Sequence, residues 1–120
     1  MRFGLWLGVV VGLFVAASPA GAQNSQNWQW CVNKDNRFSL DLAINGCTTV
    51  IQAGRETQKN LAIAFYDRGN AYEDKHDDAH AIADFTQAIQ LNPRYADAYN
   101  NRGNAYRHVK NYDAALADFN

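Results

Sequence analysis

One pentapeptide occurs twice in this chain. Arg68-Gly69-Asn70-Ala71-Tyr72 returns residue for residue as Arg102-Gly103-Asn104-Ala105-Tyr106, thirty-four residues later. Repetition at that period constrains folding more than any compositional average. Each copy is one supersecondary unit that cannot bury its apolar face alone, so copies must stack. The match extends beyond the pentapeptide. Phe65, Arg68, Gly69, Tyr72, Ala81 and Phe85 in the first copy, which also has Pro93, correspond to Tyr99, Arg102, Gly103, Tyr106, Ala115 and Phe119 in the second. Phe65, Gly69 and Tyr72 share one helical face, as do Ala81, Phe85 and Ala88, so each copy reads as two helices packed as a hairpin. Gly69 and Gly103 leave room for close approach, and Ala81 and Ala115 are the small partners opposite. Asp77 and Asn111 precede each second helix as side-chain caps. Asn92-Pro93 closes the first hairpin, because proline cannot continue the hydrogen-bond ladder.

From about Ala62 to Asn120 the chain resembles tetratricopeptide repeat proteins, with an aromatic residue in place of the signature Trp and Arg in place of Leu. The resemblance implies an all-α fold of antiparallel helical hairpins stacked as a short α-solenoid, with a concave groove lined by the first helix of each hairpin. The repeats divide as 62–95 and 96–120, the second being incomplete.

Residues 1–22 differ in kind. Arg2, the apolar run Phe3–Ala17 and the small residues Ser18-Pro19-Ala20-Gly21-Ala22 have the pattern of a secretory leader cut after Ala22. The apolar run is shorter than the ~20 residues a spanning helix needs. We therefore expect a bacterial chain exported to the periplasm or beyond, with no membrane insertion after cleavage. An uncleaved anchor is the alternative.

Residues 23–61 read as a degenerate hairpin that caps the stack. Gln23–Asn27 is polar and expected to be a flexible start. Ala43–Ile51 can be laid on Ala81–Ile89, which puts Cys47 where Phe85 falls, with Ser39 as the helix cap. The link to the next hairpin is about four residues longer than in the regular repeat. Two cysteines in an exported chain allow one intramolecular pairing, and Cys31–Cys47 would staple this hairpin. Free thiols and a functional role are the alternatives, the latter without a CxxC or a flanking histidine to support it.

Chemistry is sparse. Eleven basic and twelve acidic residues give no basic stripe for nucleic acid. His76 and His80 stand four apart, but His76 falls in the inter-helix turn, so the pair reads as solvated rather than metal-binding. No nucleophile motif, phosphate loop or unexplained carboxylate pair appears. We expect no enzyme, no cofactor and no metal.

What remains is the groove. Tyr66, Asp67 and Asn70 on one first helix, and Asn100, Asn101, Asn104 and Arg107 on the next, recur at spacings of three and four. Asparagine lowers helix propensity, and its amide offers both a donor and an acceptor to an extended peptide. The resemblance implies that Asn70, Asn101 and Asn104 hold peptide main chain, with Tyr66 and Arg107 as side-chain contacts. A merely hydrophilic face is the alternative. Asp67 interrupts the asparagine ladder, and the acidic cluster Glu73, Asp74, Asp77 and Asp78 favours a basic or neutral partner. The expected function is a protein- or peptide-binding adaptor or scaffold of the cell envelope. The competing expectation is a structural subunit that self-associates or docks through Ala115, Leu116 and Phe119, left partly uncovered at the C-terminal edge.

Overall fold

The computed structural model describes residues 20–120, so the expected leader lies outside the described residues apart from its last three. Six α-helices follow in order: α1 (Ala20–Val32), α2 (Leu40–Ala53), α3 (Gln58–Asp74), α4 (Asp78–Leu91), α5 (Ala96–His108) and α6 (Tyr112–Phe119). A short 3-10 turn, Lys34–Asn36, joins the first two. The described residues contain no strand, and the fold is the expected stack of helical hairpins. α1 pairs with α2, α3 with α4 and α5 with α6, while α3 also meets α1 on one side and α5 on the other. The first helices thus lie side by side, as a solenoid requires.

Local chemistry sets the boundaries. Ser39, Asp77 and Asn111 each accept a backbone N–H of the first turn of α2, α4 and α6, from Leu42, His80 and Ala114. Gly54 ends α2 at φ 64°, the left-handed conformation that costs glycine nothing.

The repeat signature resolves into two contacts. Gly69 lies under the Phe85 ring so closely that an added Cβ would fall 2.7 Å from its edge, and Gly103 is related in the same way to Phe119. Beside each of these contacts stands an ion pair. Arg68 Nε and Nη2 donate to Asp84 Oδ2 and Oδ1 at 2.7 and 2.8 Å, while Nη1 reaches back to Thr48 Oγ1 on the preceding hairpin at 3.0 Å. Arg102 repeats this with Asp118 at 2.8 and 2.6 Å and with Thr86 at 3.2 Å. Each arginine therefore ties its own hairpin to the one before. The guanidinium of Arg68 also lies 5.5 Å over the Phe65 ring, and that of Arg102 lies 5.6 Å over Tyr99. This explains why Arg stands at a signature position where Leu is usual.

The first hairpin solves the same crossing differently. Cys31 and Cys47 are joined as a disulfide across a separation of 16, the separation of Gly69 from Phe85, with Cα atoms 4.4 Å apart. One residue earlier, Trp30 and Gly46 take the places of Arg68 and Asp84. A Cβ on Gly46 would meet Trp30 Cβ at 2.7 Å. A covalent bond and a bare glycine thus replace the aromatic contact and the ion pair.

Two expectations are corrected. Gln23–Asn27 belongs to α1 and is not a loose start. Glu56, in the long link, accepts hydrogen bonds from Trp28 Nε1 at 2.9 Å and Asn24 Nδ2 at 3.2 Å, which pins α1 from across the hairpin. Hydrogen bonds from Trp28 foremost, then from Asn60 and Asn24, hold the Glu56 carboxyl below its ordinary pKa. Ala115 is also not uncovered: it is 4% exposed, whereas Leu116 and Phe119 are 61% and 46% exposed.

Candidate peptide-binding groove

A cleft of about 380 Å³ opens on the inner face where the first helices meet. Its walls are the end of α1 (Cys31, Val32), Leu40 and Ala43 of α2, the Asp67–Asp74 side of α3, and Asn101 of α5. Small residues at Ala71 and Ala43 keep the floor low, and the surface it presents is mostly polar.

Asn101 ties α5 to α3. Its Nδ2 donates to Asn70 Oδ1 at 2.8 Å and to the Tyr66 hydroxyl at 3.1 Å. Both donors are thereby used, and so is one acceptor of Asn70. Among the described residues, Asn70 Nδ2 and Asn101 Oδ1 take no hydrogen bond, so two residues that line the cleft keep an amide NH2 and an amide oxygen free. Tyr66 is fixed from behind by ring contacts to Tyr95 and Phe85, with centroids 4.8 and 5.9 Å away.

Asp67 is the electrostatic centre of the cleft. Burial lifts its carboxyl from 3.8 to about 7. Glu73 is also raised, chiefly by burial, with His108 pulling the other way. The Tyr95 phenol is pushed up by burial first and then by the neighbouring Asp67.

The sequence-predicted site residues separate here. Asp67, Asn70 and Asn101 line the one cleft, with Tyr66 bound to its rim through Asn101. Asn100 lines a different cleft at the C-terminal end, with Tyr99 and Phe119. Asn104 is half-buried and Arg107 exposed further along α5, and neither lines either cleft. The arginine–aspartate pairs behind the groove were missed from sequence. Their signal was present in the recurrence of Asp84 as Asp118 beside the recurrence of Arg68 as Arg102.

The histidines have structural partners. His80 Nδ1 lies 2.7 Å from Asp77 Oδ2, its ring stacks on Tyr72, and His108 Nδ1 lies 3.2 Å from Asp78.

Stacked hairpins, a shared Gly–Phe crossing and a concave polar face define a helical-repeat binding scaffold. The particular repeat is established by comparison with known proteins. Residues 69–107 match the family model described as TPR repeat, and residues 96–120 the one described as tetratricopeptide repeat, so tetratricopeptide repeats are found over residues 69–120. It is 30% identical over 88 residues to the "Lipoprotein NlpI homolog" of Haemophilus influenzae, a match that covers 73% of this chain. The chain spans 28% of that relative's length. Among solved structures it is similar to the second TPR of Spaghetti (RPAP3) bound to the HSP90 peptide SRMEEVD. That match has a TM-score of 0.65 and 28% identity, covering 82% of this chain and 93% of the other. Repeats of this kind present extended concave surfaces to other proteins.

Proposed function

We propose that the chain is a peptide- or protein-binding adaptor of the cell envelope, and that the cleft between α1, α3 and α5 holds an extended segment of its partner. The observation that carries this is the Asn70–Asn101 pair. Each amide is oriented by the other, and together they leave an NH2 group and an amide oxygen unbonded on residues that line the cleft. Main-chain recognition of an extended peptide needs that combination. The similar Spaghetti repeat was solved with a peptide bound, which supports the class of partner. The envelope assignment is supported by the leader-like residues 1–22, the paired cysteines and the similarity to a lipoprotein.

A second reading leaves the groove idle and assigns the contact to α6, where Leu116 and Phe119 are partly exposed. One experiment separates the two. Peptides are selected on the full chain from a displayed library, and the best is re-measured on Asn70→Ala/Asn101→Ala and on Leu116→Asp. The groove reading expects a loss of about tenfold or more in the first, since two main-chain hydrogen bonds are removed, and little change in the second. Selected peptides that ignore the asparagine pair, or a selection that yields none, would refute it.

A further inference from the structure

We propose that this groove selects a basic segment, placing a Lys or Arg side chain of the partner against Asp67, and rejects acidic peptides. The inference rests on the peptide-groove reading above and names the chemistry of its ligand.

Asp67, Glu73 and Asp74 line the cleft, and no Lys or Arg does. The end of α1 opens onto the same cleft at Val32. A helix C-terminus carries the negative end of the backbone dipole, which again favours a cation.

Asp84 and Asp118 have side chains almost wholly withdrawn from water, and Asp67 is half-buried. Asp84 and Asp118 each receive a two-pronged arginine. Asp67 has no ion pair and no side-chain hydrogen bond among the described residues, and burial is what raises its pKa. Asp84 and Asp118 show what this scaffold supplies when a buried carboxylate is compensated from within. At Asp67 the compensation is missing, and the side open to it is the cleft. An entering ammonium or guanidinium would supply it, with Asn101 Oδ1 as a further acceptor. At about 380 Å³ the cleft is in the range that holds a side chain with its adjoining backbone rather than a folded domain.

This sets the groove apart from its similar structure. SRMEEVD carries three acidic side chains against one arginine, and the carboxylates lining this cleft would repel its acidic end.

The test uses the full chain and fluorescently labelled peptides. Three have the sequence Gly-Ser-Ala-X-Ala-Ser-Gly, with X as Lys, Gln or Glu, and the fourth is SRMEEVD. Anisotropy at low salt should place the Lys peptide about tenfold tighter than the Gln peptide, the worth of one partly screened charge pair. The Glu peptide and SRMEEVD should bind more weakly than the Gln peptide. Asp67→Asn should shrink the Lys-to-Gln ratio to about twofold, while Asp113→Asn on α6 should leave it unchanged. Equal affinity for Lys and Gln peptides, or tighter binding of SRMEEVD, would overturn the charge selection. If all peptides bind alike and all weaken in Asn70→Ala/Asn101→Ala, the groove reading survives without it. If none binds, both fall.

Discussion

Replacing Asp84 with Ala tests whether the arginine pairs, and not the apolar crossings alone, hold neighbouring hairpins in register. Asp84 is 5% exposed, and the Arg68 side chain is 18% exposed. The hydrogen bonds that Arg68 donates to Asp84 are the largest influence holding Arg68 protonated, against a burial that works the other way. Removing the carboxylate leaves a guanidinium enclosed between α2, α3 and α4, with Thr48 as its remaining acceptor at 3.0 Å. An uncompensated charge in such a place costs about 3 kcal/mol. Arg68→Met should cost about as much, because it strands the carboxylate instead. The double variant Arg68→Met/Asp84→Leu should recover to within about 1 kcal/mol of the parent, since a buried pair exchanged for apolar residues of similar volume is near neutral. Urea unfolding followed by circular dichroism gives the three values and the coupling between the sites. Single variants that each cost under about 1 kcal/mol, or a double variant that costs their sum, would show that water already solvates the pair. The arginines would then not be the inter-hairpin ties described here.

Two further outcomes follow from the same geometry. The Cys31–Cys47 bridge closes a separation of 16 residues, worth about 3 kcal/mol through the unfolded state. Cys31→Ser/Cys47→Ser should lower stability by about that amount, with hydrogen-exchange protection lost from α1 and α2 before α5; uniform loss would place the bridge outside a local unit. Asp67, raised to about 7 by burial, gives stability that is complete below its unfolded pKa and is lost as pH rises through the folded one. At full value the displacement is roughly 4 kcal/mol, and the open side of the cleft reduces it to about 2. Asp67→Asn should therefore match the parent near pH 4 and exceed it by about 2 kcal/mol at pH 8. Glu73, also raised, keeps some slope in both proteins. Identical slopes in thermal melts across that range would refute the assignment.

The fold was legible because its determinants are local and repeated. Gly69 and Gly103 announce a close crossing, Phe85 and Phe119 supply what crosses, and Ser39, Asp77 and Asn111 mark where helices begin. The first hairpin was harder to read. Its helix α1 carries few apolar residues in Gln23–Asn27, and its order depends on Glu56, 28 residues beyond Trp28. No window short enough for a periodicity argument contains both. The role of Arg68 was hidden for a related reason: its partners Asp84 and Thr48 lie on two other helices.

The groove shows where repeat logic stops. Equivalent positions lie thirty-four apart, so Asn70 corresponds to Asn104 and Asp67 to Asn101. Yet Asn101 bonds Asn70 across 31 residues and Tyr66 across 35. Contacts between hairpins join non-equivalent positions, because each hairpin is turned and shifted against the last by the superhelix. That offset belongs to the stack and to no single copy. It is also why a stripe of asparagines along the sequence becomes one cross-bonded pair at Asn70 and Asn101, while Asn100 faces another cleft. On the reading proposed above, Asp67 beside that pair lets the cleft offer neutral amides to a main chain and a carboxylate to a side chain. A partner that satisfies both must be extended and basic together, a narrower requirement than either feature imposes alone.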